Sequence, residues 1–216
     1  MRDRRVSVWD ERAEAYRRSR EHSEGWDLDL LVDWATGCET ALDVATGGGH
    51  VARRLREAGI AVVTLDPSPG MKPDVLSPAE DLPFADASFD VVACRLAAHH
   101  FANVEAGIRE MARVARELVL VVDNLWMGED DEQASRLRDP SHVRNYSADE
   151  WRALFAGAGL EVEEEQFGER RIDFEPWLER TGATGEEAGR IRALLAGRIE
   201  DGKLRIERIA LKGRKA

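Results

Sequence analysis

Asp43, the run Gly47-Gly48-Gly49 and Asp66 are the residues whose types and spacing promise chemistry. Glycine permits a tight turn and lets a ligand approach the backbone, because no Cβ stands in the way. Gly47 to Ala52 satisfies G-x-G-x-x-A, and Asp66 follows Gly47 by nineteen residues. Together they describe a nucleoside-binding βαβ unit, with the acid placed to accept hydrogen bonds from both ribose hydroxyls. The same spacing fits a nicotinamide dinucleotide, so the glycines alone do not choose the cofactor. Asp43 discriminates better. It is an acid inside an apolar strand, expensive to bury unpaired. It is predicted to brace the glycine loop through backbone N–H groups and to favour a cationic ligand, whereas a dinucleotide's phosphates would be opposed there. His99-His100 is the second candidate group: imidazoles near neutral pKa can take a proton from an oxygen, nitrogen or activated carbon. A capping or packing pair is the plainer alternative. His142, next to Arg144 and Tyr146, could line or support the same pocket.

The elements that must hold these residues follow from periodicity. Ala41 to Ala45 and Ile60 to Leu65 are short apolar runs, read as buried strands on either side of an amphipathic helix that carries Val51, Ala52 and Leu55. Helices are predicted over 7–20 and 27–35, the second closed by Gly37, and strands over 88–94 and 117–122 with a helix at 104–116 between them. Ser147 and Glu150 have capping-box spacing and open a helix to about Gly157. A half-solvated strand follows at 160–167, then a helix pair at 174–181 and 185–200, then a last strand at 203–211. Alternating strands and helices with apolar strands argue an α/β, doubly wound, mainly parallel sheet. Residues 1–216 are expected to form one domain, with a helical cap at 1–37 and a helical insertion at 168–202.

Composition narrows the partners. The chain of 216 residues has 42 acids against 31 bases and a formal net charge of −11. An acidic surface repels phosphate backbones and anionic lipid, so nucleic acid and membrane are not expected partners, and a small molecule is. The oligomeric state, monomer or homodimer, is not legible. The longest apolar runs are strand-length, and the charged N-terminal stretch is unlike a signal peptide, so a cytoplasmic location is expected. Cys38 and Cys94 make no disulfide framework, and histidines and cysteines show no metal-ligand spacing, so no metal is expected.

Five segments in order, Leu42-Asp-Val-Ala-Thr-Gly-Gly-Gly49, Leu65-Asp-Pro-Ser68, Ala79-Glu-Asp-Leu-Pro-Phe84, Ala87-Ser-Phe-Asp-Val-Val92 and Ala97-Ala-His-His100, resemble the class I S-adenosylmethionine-dependent methyltransferases. The branch they most resemble is the ubiquinone/menaquinone-type small-molecule C-methyltransferases. Arg138-Asp-Pro-Ser-His-Val-Arg144 with Tyr146-Ser147 and Trp151 resembles a bacterial subgroup of it. The likeness runs from about residue 10 to 165. It implies a Rossmann-like sheet of seven strands, the last antiparallel, and S-adenosyl-L-methionine as the cofactor, whose sulfonium suits Asp43. Asp43 with Ala45, Thr46, Gly47 and Gly49 would line the methionine part. Asp66, with Pro67 beside it, would take the ribose, and Ala79-Glu80 the adenine edge. Arg95 would lie beneath the amino-acid end, and Tyr16 would reach the cofactor carboxylate or cover the pocket. His100 would be the better base of the histidine pair, His99 the other. Trp126, Met127, Phe174 and Trp177 are candidate acceptor walls.

Two departures from the family pattern carry expectations. Ala45 stands where glycine is usual, which is tolerable if its φ is negative. Pro78 replaces an acid, leaving Glu80, Asp81 or water for the adenine amine. Four prolines between Asp66 and Ala79 should remove the helix usual there and cut the edge strand to about 74–76. A non-methylating binder on the same fold and a nicotinamide-dependent oxidoreductase remain as alternatives.

Overall fold

The computed structural model describes residues 4–215. Its elements run α1 (Arg4–Arg18), α2 (Arg20–Ser23), α3 (Trp26–Trp34), β1 (Thr40–Val44), α4 (His50–Glu57), β2 (Ala61–Asp66), β3 (Val75–Leu76) and β4 (Phe89–Arg95). They continue with α5 (Val104–Val114), β5 (Ala115–Asn124), α6 (Glu129–Arg138), α7 (Ala148–Gly157), β6 (Leu160–Asp173), α8 (Phe174–Glu179), α9 (Gly185–Leu195), β7 (Ile199–Glu200) and β8 (Lys203–Lys215).

The sheet order is β3-β2-β1-β4-β5-β8-β6, parallel from β3 to β5, with β8 antiparallel to both β5 and β6. This is the doubly wound Rossmann-like sheet expected, with one addition: β7, two residues long, pairs with β8 outside the seven-strand path. Period-two alternation sorts the side chains into two layers. Leu42, Val44, Val92, Cys94, Val119 and Val121 pack toward α5 and α7, while Ala41, Val91, Ala93, Leu118 and Leu120 pack toward α3 and α4. Asp43 shares the second face, because it follows Ala41 by two.

Several boundaries shift for physical reasons. The strand expected at 160–167 continues to Asp173, so residues 168–173 belong to the sheet rather than to the insertion. Its outer positions are exposed glutamates and arginines, whose polarity hides an edge strand from an apolar pattern. The final strand runs to Lys215, not 211, for the same reason. The helix from Val104 ends at Val114, and β5 starts at once with Ala115. The second helix of the insertion stops at Leu195, followed by a 3₁₀ turn and β7. After β2 the prolines act as expected: one 3₁₀ turn, Pro69–Met71, stands in place of a helix, and β3 is two residues long. Among the described residues no helix is long and apolar enough to cross a membrane.

Candidate functional site

β1 ends at Val44, and the backbone turns through Ala45 to Gly49 into α4. Asp43 is 1% exposed, and its Oδ2 accepts the Thr46 hydroxyl at 2.6 Å and the Ala52 N–H at 3.1 Å. It therefore clamps the bend to the first turn of α4. Burial pushes its carboxyl up to about 6; the Thr46 and Ala52 hydrogen bonds pull against this, and Asp66 adds to it. The bend winds tighter than expected. Ala45 has φ +54°, not a negative value, alongside Gly47 at +52°. The left-handed turn there costs an L-residue roughly 1–2 kcal/mol. Gly48 is needed for space: a Cβ would meet His50 Nε2 at 2.8 Å and the Tyr16 carbonyl oxygen at 2.9 Å.

Bracing the loop, expected of Asp43, is shared with Asp66. The Gly47 N–H donates to its Oδ2 at 3.0 Å and the Ser68 N–H to its Oδ1 at 2.9 Å. Burial raises the Asp66 carboxyl above its usual range while these bonds pull it down. From α1, Asp10 Oδ1 accepts the Ser68 hydroxyl and the Gly70 N–H, holding the helix over the loop after β2.

At the carboxyl ends of β1, β2 and β4 these residues surround a cavity of about 350 Å³, within the range of small-molecule sites. Tyr16, Asp43, Ala45, Thr46, Gly47, Asp66, Pro67, Ala79, Glu80, Arg95 and His100 all line it. Gly49 does not; it sits behind the bend as the residue preceding α4. Glu80 Oε1 accepts the Asn103 N–H at 3.1 Å. Arg95 donates through Nε to Asp27 Oδ2 and through Nη1 to the His22 carbonyl, both at 2.7 Å, while its buried Nη2 has no hydrogen-bond partner.

His99 does not line this cavity. It faces a second one of about 80 Å³, which meets the first at Tyr16, His22, Leu96 and His100. His100, expected to be the better base of the pair, lines the cofactor cavity. Burial, then the adjacent His99, pull its imidazole down to about 3, so it stays neutral and accepts protons poorly. Its Nδ1 stands 3.0 Å from the Ser141 carbonyl. Burial also pulls on His99, but Asp123, with Nδ1 2.5 Å from its Oδ1, more than offsets it and holds the ring above its usual value. His142 rests on Glu132 at 3.1 Å and lines the second cavity, as does Trp177. Phe174 is a core residue of the insertion, and Trp126 is exposed.

Residues 42–122 match the methyltransferase-domain family. Over 205 residues the chain is 34% identical to YcgJ of Bacillus subtilis, an uncharacterized methyltransferase, covering 83% of this chain and 80% of that one. The chain belongs to the class I S-adenosylmethionine-dependent methyltransferases. A Bacillus halodurans methyltransferase structure superposes on it with a TM-score of 0.79 at 31% identity, over 88% of this chain and 99% of that one. The demethylmenaquinone methyltransferase of Beutenbergia cavernae is 39% identical over 88 residues, 36% of this chain and 37% of that one.

For a methyltransferase of this class the cavity fits the cofactor on its own chemistry. An orphaned buried guanidinium nitrogen, Arg95 Nη2, awaits an anionic or carbonyl oxygen. The glycine bend at Gly47 and Gly48 and two buried carboxylates, Asp43 and Asp66, line the same cavity. Sequence reasoning missed Asp10, Trp9, Asp27 and the Asp139–Ser141 pair. Asp27 had a signal: it lies on the apolar stripe of α3 with Leu28, Leu31 and Trp34, all buried. The others act across distances in sequence that no local pattern reports.

Proposed function

We propose that this methyltransferase moves a methyl group from S-adenosyl-L-methionine to a small-molecule acceptor. The observation that carries the reading is the cavity at the strand tips, where Asp43, Asp66 and the unpartnered Arg95 Nη2 face one volume. When bound, the cofactor supplies an electrophilic methyl on a positively charged sulfur. The chain's part is alignment, exclusion of water and charge.

Asp43, ionised above about pH 6, favours positive charge beside the bend of Ala45, Thr46 and Gly47. Asp66 keeps a second lone pair on each oxygen for the ribose hydroxyls, with Pro67 next to it. Ala79 borders the adenine side, and Glu80, with Oε1 committed to Asn103, offers Oε2 to the adenine amine in the absence of an acid at Pro78. Arg95 Nη2 takes the cofactor carboxylate, and Tyr16 closes the cavity from α1.

Isothermal titration with S-adenosylhomocysteine tests this. Tight binding is expected, NAD(H) should give no heat, and Asp66→Ala should weaken binding by roughly 1.5–3 kcal/mol for each charge-assisted hydrogen bond lost. A wild-type chain that binds no S-adenosylhomocysteine ends the reading.

A further inference from the structure

Among the described residues, two of the buried side-chain atoms that lack a hydrogen-bond partner belong to residues lining the joined cavities. They are Arg95 Nη2 on the first and Asn145 Oδ1 on the second. Arg95 suits the cofactor. Asn145 does not line the cofactor cavity, and it is only 3% exposed. A buried amide without partners forfeits the hydrogen bonds it made to water, so on a cavity wall it calls for a ligand that supplies them.

The backbone holds Asn145 in that place. Its own N–H donates to Glu132 Oε1 at 2.9 Å, and the Val143 and Arg144 N–H groups both donate to the His99 carbonyl, at 2.9 and 3.1 Å. On the other side Tyr146 is bridged to Leu125, and its carbonyl accepts the Trp126 N–H at 3.0 Å. Fixed at both ends, the segment keeps the side chain on the second cavity. Among the described residues no hydrogen bond ties either end of its carboxamide.

The charges around it are already matched. Asp131 pairs with Arg198 at 2.7 Å, Asp139 with Arg12 at 3.3 Å and Arg208 with Asp27 at 3.4 Å. Arg138 donates to the Trp177 carbonyl at 3.2 Å and lies over its ring, and Arg180 is engaged as well. A charged ligand would leave water without a free counter-charge to meet it, so the wall selects a neutral group. That group must also match a donor and an acceptor borne on one carbon. A hydroxyl has a single oxygen and cannot meet both at once, and a carboxylic acid is ionised at neutral pH. The void of about 80 Å³ admits the end of a molecule rather than a whole one.

We propose that the second cavity binds a neutral amide of the methyl acceptor, a primary carboxamide or a lactam, and that Asn145 selects it. This deepens the methyl-transfer reading above and rests on it. Asn145 Oδ1 accepts the ligand's N–H while Nδ2 donates to its carbonyl. The complement of an amide is another amide, so the pairing is the same whichever way the side chain is turned.

The test uses the whole chain saturated with S-adenosylhomocysteine and benzamide as the probe. Its ring suits the neck between the cavities, bordered by Tyr16, His22, Leu96 and His100. Acetophenone, which only accepts, and benzoate, which is charged, are the matched controls. In isothermal titration benzamide should bind about tenfold or more tightly than either, as two hydrogen bonds imply. Asn145→Leu should bring the ratio of benzamide to acetophenone affinity close to one. Asn145→Asp should turn the preference to benzamidine, whose two N–H groups match a carboxylate. Retained S-adenosylhomocysteine binding certifies the fold of each variant, and the isosteric Asn145→Asp decides if Asn145→Leu fails to fold. If water alone satisfied Asn145, the wild type would bind the three probes alike. That result, a benzamide preference that survives both substitutions, or no benzamide binding to a chain that binds S-adenosylhomocysteine, overturns the proposal. A wild-type chain that fails to bind S-adenosylhomocysteine overturns the underlying reading instead.

Discussion

Asp43 illustrates a side chain kept at the expense of stability. Its buried carboxyl titrates near 6 rather than 3.8, so ionising it in the folded state costs about 3 kcal/mol. The sign follows from linkage: a raised acid lowers stability as pH climbs through its folded value, and the penalty vanishes below its unfolded value. Asp43→Asn keeps an oxygen for Thr46 and Ala52. It should therefore raise the thermal midpoint at neutral pH, with the gain fading as pH falls below about 4. The same variant should lose the preference for the sulfonium cofactor over neutral S-adenosylhomocysteine, measured as the ratio of their dissociation constants. In the wild type that preference should shrink as pH drops through about 6. Ala45 is a second strained point, with φ +54°. Ala45→Gly should stabilise the chain by about 0.5–1 kcal/mol in urea denaturation, the left-handed penalty of alanine less the extra chain entropy of glycine.

Elements are joined across the site by a buried charge group. Asp27 of α3 meets Arg95 of β4 at 2.7 Å and Arg208 of β8 at 3.4 Å, with all three side chains almost wholly inaccessible. Burial raises the Asp27 carboxyl, but Arg95 and then Arg208 outweigh it and hold it below its usual value. Its contribution is present above the unfolded carboxylate pKa and is lost as pH falls through the lowered one. Asp27→Ala removes the carboxylate that two buried guanidinium groups share, and a loss of roughly 3–5 kcal/mol is expected in denaturant titration. Arg95 would also lose its orientation, so cofactor affinity should fall with stability. Helix α7 shows how local devices suffice elsewhere: the Ser147–Glu150 capping box closes as the sequence implies.

The whole molecule divides its apolar contacts unequally. Two clusters flank the sheet, and a third, built from Ile172, Phe174, Trp177, Ile191, Leu195 and Leu204, lies under the insertion. This third cluster is the smallest of the three and rests on α6 and the far end of β8. Native-state hydrogen exchange should show amides of α9 opening at a lower free energy than those of β1, β4 and β5. Equal protection throughout would mean that the insertion and the sheet unfold together.

The strand–glycine–helix unit, the ends of β2 and β4, the proline-shortened edge and half of the cavity wall were legible in the residues. All of them are written in contiguous stretches, where periodicity, backbone freedom and the missing N–H of proline act within a few positions. The division of labour between Asp43 and Asp66, the positive φ of Ala45 and the contrast between His99 and His100 were not legible. Each depends on what approaches from elsewhere in the chain: α4 onto Asp43, Tyr16 onto Gly48, Asp123 from β5 onto His99, Ser141 onto His100. A side chain's type is local, but its charge state and its direction are set by neighbours that only folding supplies.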